Sequence, residues 1–294
     1  MEEKIVVGID LGGTKIKFGL VSAIGRFLDE PFTIPTQSHR QADEIVGTII
    51  EGIERAVQNS GIQINQIDGI GIGSPGPLDL KNGIILDPPN LQTLHNYPLK
   101  QTIKNYFNLP VALNNDGNCF VLGEACFGSA QKASIVCGFT LGTGFGCGIV
   151  IDRKIYTGST GTAAEIWCSP YADRNFEEYG SSRTIRRIYN QITGQKLEAK
   201  YIFNLAQHGD KDAIAAWSEF GLHLGKILSI ITNLLDPDII VVGGSVSNSW
   251  DFFEKSLIDN LHKNINLATR EHIKVVRASL GDNAGLFGAA ALLL

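Results

Sequence analysis

One pattern occurs twice in this chain, near the amino terminus and again about 130 residues further along. Each copy consists of an apolar strand, a glycine-rich turn and a second strand, which together are typical of a β-hairpin. The copies span residues 5–21 and 134–152. Because such self-similarity is a signature of duplication, the sequence predicts two lobes of related topology, each built around one hairpin.

Helical and strand periodicities alternate outside the hairpins. Apolar residues at helical spacing predict a helix over residues 43–59, and continuous apolar runs predict strands over 68–74, 109–113 and 236–244. This alternation is typical of an α/β fold. The remaining predictions are an irregular stretch to about Ser181, a helical region to Leu235, a strand over 274–278 and a helix from Asn283.

Composition and charge limit the classes of function. The chain has 294 residues, a net charge of −5 and scattered Lys and Arg residues, so it lacks the basic surface of a nucleic-acid binder. The first apolar strand starts already at Ile5, with two acidic residues before it, which is unlike a signal peptide. The apolar stretch from Leu222 to Leu235 is too short to span a bilayer and is predicted to be a buried core helix. We expect a cytoplasmic protein whose partners are neither nucleic acids nor membranes.

The five cysteines are spread along the chain without any CxxC pair. This spacing argues against a disulfide framework and against a self-contained zinc site. We expect most of the cysteines to be small core residues.

The turn of the first hairpin has features of a phosphate site. In Asp10-Leu-Gly-Gly-Thr14, Gly12 and Gly13 leave backbone amides free to donate to phosphate oxygens, and Thr14 adds a hydroxyl. Asp10 could hold the Mg²⁺ that accompanies a nucleotide. An ordinary hairpin with glycine at positive-φ positions explains this segment equally well when it is taken alone.

The second hairpin has a matching turn, in which Gly142, Thr143 and Gly144 allow close approach of a polyphosphate chain. Two matching turns are harder to explain as ordinary hairpins. Gly243 and Gly244, which follow an apolar strand, would let an adenosine lie against backbone at the start of a helix, although alone they indicate only a strand-to-helix turn.

Several motifs together resemble the ROK family of bacterial sugar kinases and sugar-responsive repressors. The resemblance runs in order across essentially the whole chain and implies a duplicated actin-like, ribonuclease-H-like α/β fold, with nucleotide and sugar bound between the lobes. The lobes are predicted to comprise 1–116 with 282–294, the smaller N-terminal lobe, and 117–281, the larger C-terminal lobe. The motifs that carry the resemblance are Asp-x-Gly-Gly-Thr at 10–14, Gly-Ser-Pro-Gly-Pro-Leu-Asp at 73–79, Pro-Asn-Leu at 89–91, Asn-Asn-Asp-Gly-Asn at 114–118, Leu-Gly-Thr-Gly-x-Gly at 141–146 and Gly-Asp-Asn-Ala-Gly-Leu-Phe-Gly-Ala at 281–289.

The resemblance implies a role for individual residues. Asp116 matches the general base that takes the proton of the sugar hydroxyl, and Lys15 belongs to the first nucleotide turn. Asn90 and Asn115 match residues that hydrogen-bond sugar hydroxyls, and Gly76 lines the sugar pocket. A structural alternative for Asp116 is to cap the helix that begins near residue 117, and both roles can hold at once.

The chain departs from the family pattern beside the sugar pocket. Glu165 and Glu177 resemble the two glutamates that bracket the sugar. The usual Gly-His of the family is replaced here by Trp167 and Cys168, and Asp-Arg-Asn-Phe at 173–176 stands where a zinc-binding cysteine loop is usual. We therefore expect no structural zinc and the loss of one sugar contact. Trp167 could stack against the sugar or pack under the loop.

These observations predict an ATP-dependent sugar kinase that uses Mg²⁺ and converts glucose to glucose 6-phosphate. Three alternatives stay open, namely a ROK-type sugar regulator or sensor, a kinase for an N-acylhexosamine or fructose, and an actin-like ATPase or impaired sugar binder. A regulator of this family needs a DNA-binding segment of about 70 residues before the first hairpin, which here starts at Ile5. The resemblance implies a homodimer. The sequence does not distinguish ATP from polyphosphate as the phosphoryl donor.

Overall fold

Two five-stranded mixed sheets organise the computed structural model, which describes residues 3–294. The strands are β1 (Ile5–Leu11), β2 (Lys15–Ser22), β3 (Phe32–Pro35), β4 (Gly69–Ser74), β5 (Leu78–Asp79), β6 (Ile84–Ile85), β7 (Val111–Asn115), β8 (Ile135–Leu141), β9 (Phe145–Ile151), β10 (Lys154–Ile155), β11 (Pro170–Tyr171), β12 (Arg174–Asn175), β13 (Ile239–Gly243) and β14 (Lys274–Arg277). The α-helices are α1 (Ala42–Asn59), α2 (Leu99–Phe107), α3 (Asp116–Phe127), α4 (Phe176–Gly180), α5 (Ser182–Thr193), α6 (Ala199–Gln207), α7 (Lys211–Leu235), α8 (Trp250–Lys263), α9 (Leu267–His272) and α10 (Ala284–Ala291).

The two sheets have the same topology. Their strand orders are β3-β2-β1-β4-β7 and β10-β9-β8-β13-β14. In each sheet, the first three strands in chain order form an antiparallel meander, and two further strands are added in parallel beside the first. The prediction of two lobes of related topology, each built around one hairpin, is therefore confirmed.

The predicted elements are found with small changes of boundary. The strand predicted over 109–113 begins at Val111 and continues to Asn115, because its last residues pair with the end of β4. The helical region that ends at Leu235 consists of the three helices α5, α6 and α7. The stretch predicted to be irregular contains the short pair β11–β12 and the helix α4. These short elements lack enough residues to give a periodic signal.

The core helix predicted over the stretch that ends at Leu235 is confirmed as the last part of α7. This helix is long and apolar enough to cross a bilayer, but 56% of its most apolar window is buried within the fold. Trp217 and Phe220 of α7 pack against Phe253 of α8 at the centre of the C-terminal core. Burial of this kind is what a core helix of a globular protein shows.

Two helices run between the sheets and contact each other closely. α3 follows β7 and packs mainly on β8 and β9 of the second sheet, whereas α10 follows the second sheet and packs on β1 and β4 of the first. Gly288 makes their close approach possible, because a Cβ at this position would overlap the carbonyl oxygen of Cys119. The lobe boundaries at 116/117 and 281/282 remain a prediction, which these contacts support.

A buried carboxylate fixes the far end of α3. The Glu124 side chain accepts hydrogen bonds at 2.8 Å from the backbone and hydroxyl of Ser129 and at 2.8 Å from the backbone of Leu280. Ionised acceptors with several donors offset the cost of burying their charge. Glu124 therefore joins α3 to the segment that leads into α10.

Candidate active site

A cavity of about 570 Å³ opens between the lobes. Its walls include Asp10 and Lys17 from the first lobe, Asp116 from α3, and Gly244 and Arg277 from the second lobe. A larger cavity of about 1060 Å³ lies beside α9 and is lined by none of the predicted site residues. The smaller cavity is the candidate active site because it brings predicted residues of both lobes together.

The first glycine turn is tight because another segment packs on it. The Gly12 amide donates to the Lys15 carbonyl at 3.0 Å. A Cβ at Gly13 would lie 2.8 Å from the Cβ of Asn90, so the turn and the Pro-Asn-Leu segment are in contact. Neither glycine has a positive φ. The interpretation that they serve positive-φ positions is therefore wrong, and Gly13 is required for close approach.

The Thr14 side of the same turn is held by the chain that follows β3. The Thr36 amide donates to the Thr14 carbonyl at 3.0 Å, and the Thr36 hydroxyl donates to the Gly12 carbonyl at 2.6 Å. Thr14 and Lys15 are exposed at the turn, and Lys15 lines the interlobe cavity. The first turn is thus rigid in its backbone and open on its outer face.

The second glycine turn adjoins one of the predicted sugar ligands. The Gly142 amide donates to the Gly144 carbonyl at 3.0 Å, and Thr143 lies between them. A Cβ at Gly144 would lie 3.0 Å from an oxygen of Glu177. That carboxylate accepts from the Phe145 amide at 3.3 Å and pairs with Arg183 at 3.1 Å. Glu177 is therefore oriented by the second turn and by an ion pair.

The glycine pair after β13 forms a wall of the cavity. Gly244 has a φ of 80°, and a Cβ there would overlap the Leu141 carbonyl oxygen. Only glycine fits such a conformation without strain. The helix expected to start here begins instead as a 3₁₀ turn over Ser245–Ser249, and α8 starts at Trp250. Gly243, Gly244, Ser245 and Ser247 line the cavity together.

Asp116 is the first residue of α3, and its neighbour caps the helix. The Asn115 side chain accepts from the amides of Gly117 at 2.9 Å and Asn118 at 3.4 Å, as an N-cap does. The alternative that Asp116 is the cap is therefore wrong. One oxygen of Asp116 accepts from the Gly117 amide at 2.8 Å, and the other accepts no hydrogen bond from residues 3–294.

The surroundings of Asp116 raise its pKa from 3.8 to about 6. Burial is the largest cause, because both lobes surround the carboxylate. The surface of Asp116 is accessible within the cleft between them. The negative charges of Asp10 and Glu165 raise the pKa further, and the Gly117 amide opposes them. At neutral pH the carboxylate is mostly ionised and is a stronger base than an ordinary aspartate.

The Pro-Gly-Pro loop approaches the Asn115 side chain. β4 pairs with β7 up to Ser74 and Asn115, which places the following loop at the same end of the sheet. A Cβ at Gly76 would lie 3.3 Å from the Asn115 amide nitrogen. Gly76 therefore lies beside Asn115, the neighbour of Asp116 in the chain.

Asp10 on β1 is paired with Lys17 on β2 in the first hairpin. Burial raises the pKa of the Asp10 carboxyl, the charges of Lys17 and Lys15 lower it, and Asp282 raises it. The carboxylate accepts no hydrogen bond from any described residue. An ionised carboxylate without donors suits a hydrated Mg²⁺, which usually takes one or two carboxylates plus phosphate oxygens and water.

No group of three or more His, Cys, Asp or Glu residues suited to a metal ion occurs within residues 3–294. Asp10 offers one carboxylate, which fits a cation that takes its other ligands from phosphate oxygens and water.

Sequence reasoning missed several polar residues of the cavity. The Lys17 ammonium donates to the Asp282 carbonyl at 3.1 Å, and burial lowers its pKa. Arg277 donates to the Asn248 side chain at 2.6 Å. Strand alternation could have identified Lys17, because a hairpin with this register places residue 17 beside Asp10.

Trp167 lies exposed beside Glu165. The residue is 45% exposed, and its indole N–H donates to Glu165 Oε2 at 3.0 Å. The interpretation that Trp167 packs under the loop is therefore wrong, and stacking against a sugar stays a prediction. Glu165 itself is close enough to raise the pKa of Asp116.

An aromatic cluster holds the loop where family members bear zinc-binding cysteines. The Tyr171 hydroxyl lies 3.1 Å from His223 Nδ1, and the Tyr179 hydroxyl donates to Asp173. Burial lowers the pKa of His223 to about 4, helped by the charges of Arg187 and Lys226. The imidazole is neutral at pH 7, so Nδ1 can accept from Tyr171.

Comparison with known proteins gives concordant results. The sequence model described as ROK family matches residues 6–294. A glucokinase of Thermotoga maritima is 28% identical, with 98% of this chain and 96% of that protein covered. A putative xylose repressor of Caldicellulosiruptor is also 28% identical, with 99% and 78% covered. A ROK family glucokinase from Streptomyces griseus, solved in complex with glucose and AMPPNP, superimposes with a TM-score of 0.80 at 30% identity, and 99% of each chain is covered. The predicted actin-like fold with two lobes is confirmed.

Proposed function

Since the chain belongs to the ROK family, we propose that it is an ATP-dependent sugar kinase. It transfers the γ-phosphate of MgATP to a hexose hydroxyl, with glucose converted to glucose 6-phosphate as the leading reaction. One observation carries this proposal: Asp116, with its pKa raised to about 6, lies in the wall of the interlobe cavity together with Asp10 and Lys15 of the first glycine turn and the pair Gly243-Gly244. A basic carboxylate at such a place is what phosphoryl transfer to a hydroxyl requires.

Asp116 acts as the general base. Phosphoryl transfer has a loose transition state, so the protein mainly positions the hydroxyl in line with the γ-phosphate. The Asp116 oxygen that accepts from Gly117 is fixed by the start of α3. The other oxygen is available to accept the hydroxyl proton of the sugar as the bond to phosphorus forms.

The nucleotide occupies the interlobe cavity. Amides of the turns at 12–14 and 142–144 donate to phosphate oxygens, and Gly243 and Gly244 form the wall for the adenosine. Asp10 holds the Mg²⁺, which when bound neutralises charge on the transferred group. The similarity to a ROK family glucokinase solved in complex with glucose and AMPPNP supports ATP as the donor.

The sugar lies on the other side of Asp116. Asn90, Asn115, Glu165 and Glu177 hydrogen-bond its hydroxyls, and Gly76 leaves room for it. Glucose is proposed because a relative named glucokinase matches nearly the whole chain. An N-acylhexosamine or fructose remains the alternative, since Trp167 and Cys168 replace the usual Gly-His pair.

The similarity to a putative xylose repressor favours one second candidate, a sugar sensor without kinase activity. A panel of hexoses, N-acylhexosamines and pentoses, each assayed for ADP release with MgATP and for turnover with polyphosphate, separates the candidates. Asp116→Asn is the control and should lower kcat by about 10²–10⁴-fold. If no sugar stimulates ADP release above the level of that variant, the kinase proposal is wrong. Sugar binding without turnover, measured by calorimetry, would support the sensor.

We propose a cytoplasmic homodimer whose partners are small molecules rather than nucleic acids or membranes. Light scattering after size-exclusion chromatography tests the dimer, and a monomer at micromolar concentration would contradict it. The lobe boundaries at 116/117 and 281/282 are part of the same proposal.

A further inference from the structure

Trp167 differs from the other tryptophans of the chain in its surroundings. Trp167 is 45% exposed, whereas Trp217 and Trp250 are 1% and 8% exposed in the C-terminal core. A large aromatic side chain that is partly exposed beside Glu165 has apolar surface that a ligand can cover. The position of Trp167 is therefore suited to binding rather than to packing.

Trp167 also connects the two glutamates of the proposed sugar pocket. Its indole N–H donates to Glu165 Oε2 at 3.0 Å, and its backbone carbonyl accepts from the Glu177 amide at 3.1 Å. An indole nitrogen only donates, so the bond to Glu165 has one direction. Because that bond is charge-assisted, it restricts the rotation of the carboxylate strongly.

We infer that Trp167 is a specificity-determining residue of the sugar site, which orients Glu165 and packs its ring against the apolar face of a hexopyranose. This inference rests on the proposed function. The indole occupies Oε2 of Glu165, while Oε1 accepts no hydrogen bond within residues 3–294 and is left for a sugar hydroxyl. Pyranoses combine a hydroxyl edge with C–H faces, which matches a carboxylate next to an exposed ring.

The first experiment uses the unmodified protein. Acrylamide quenching of tryptophan fluorescence should report mainly Trp167, because the other two tryptophans are buried. A sugar that is phosphorylated should lower the quenching constant about twofold or more by covering the ring. In Trp167→Phe the remaining quenching should be weak and independent of sugar, which verifies the assignment.

The second experiment separates the indole N–H from the ring. Trp167→Phe removes the donor and keeps an aromatic face, so KM for the sugar should rise about fivefold to tenfold while KM for ATP stays unchanged. Trp167→Ala should raise the sugar KM further because the face is also lost. Tyr201→Ala, which removes an aromatic side chain that is 58% exposed on α6, is the matched control and should change neither constant.

A double-mutant cycle tests whether Trp167 acts through Glu165. In a Glu165→Ala background, Trp167→Phe should have little further effect on the sugar KM, because the carboxylate that it orients is gone. Full additivity of the two substitutions would overturn the positioning role. Circular dichroism of each variant checks that the fold is retained.

The outcomes distinguish this inference from the proposed function. If a sugar is turned over but leaves the quenching of the wild type unchanged, or if Trp167→Phe leaves its KM unchanged, the role of Trp167 is wrong and the kinase stands. If sugars protect Trp167 but no sugar of the panel is turned over, the kinase is wrong and the contact stands. No turnover and no protection with any sugar would overturn both.

Discussion

Replacing Asp116 with asparagine should remove most of the turnover and yet stabilise the folded protein at neutral pH. Burial, together with the charges of Asp10 and Glu165, raises the pKa of this carboxyl from 3.8 to about 6. A carboxyl whose pKa is higher in the folded than in the unfolded chain costs stability wherever both states are ionised. Asparagine has nearly the same shape and carries no charge, so Asp116→Asn removes that cost.

The magnitude follows from the two pKa values. Their difference corresponds to about 3 kcal/mol for a carboxyl that is fully shielded from water. Asp116 is accessible within the cleft, and screening by that water reduces the expected gain to about 1 kcal/mol. The gain should be complete above about pH 6, decline as the pH falls towards 3.8, and vanish below that value.

Urea unfolding of the wild type and of Asp116→Asn, near neutral pH and at about pH 4.5, measures the gain directly. Asp251→Asn is the control, because Asp251 is an exposed aspartate in the first turn of α8 and should give no gain. A variant that is less stable than the wild type at neutral pH, or equally stabilised at both pH values, would refute the argument that burial of Asp116 destabilises its charge.

Three further predictions concern the same cleft. The kcat/KM for the sugar should decline below about pH 6 as Asp116 takes up a proton. Glu165→Gln should shift this decline to lower pH, because it removes a charge that raises the pKa of Asp116. Initial rates across the pH range test both expectations, and a decline at the same pH in Glu165→Gln as in the wild type would contradict the effect of Glu165 on Asp116. Gly13→Ala should raise KM for ATP about tenfold or more, because the turn must move away from Asn90. Gly47→Ala, which meets no atom within 4 Å, should leave ATP kinetics unchanged, so equal effects of the two substitutions in a steady-state assay would contradict this reasoning. Ala164→Gly should raise the thermal unfolding midpoint, because Ala164 has a φ of 69° and left-handed alanine costs about 1 kcal/mol; a midpoint that falls in calorimetry would exclude strain at this residue.

Local pattern was sufficient to predict the elements and the duplication. In each of the hairpins β1–β2 and β8–β9, the two paired strands are neighbours in the sequence. Their apolar runs and the turn between them can therefore be recognised from a short segment of the chain. The helix α1 was predicted to within one residue because its apolar face repeats over five turns. Elements of this length contain enough residues to show a helical or strand period of apolar positions, so one sequence is enough to identify them.

Contacts between distant segments were not predictable in the same way. Gly13 is required because Asn90 packs on it, and no property of either segment indicates their contact. Lys17 and Arg277 line the cavity only because the two lobes face each other there. The choice between Asn115 and Asp116 as the cap of α3 depends on where β7 ends, which is a boundary that periodicity leaves uncertain by several residues.

The positions of the site residues along the chain have a consequence for how the protein could change during evolution. Asp116 lies in the first turn of α3, a helix that packs on the second sheet and on α10, so its backbone position depends on contacts with both lobes. Glu165 and Trp167 belong instead to a loop, and the segment that follows it is anchored by the contact between Tyr171 and His223. New sugar preferences can therefore arise by exchange of loop residues while the phosphoryl-transfer chemistry is inherited unchanged.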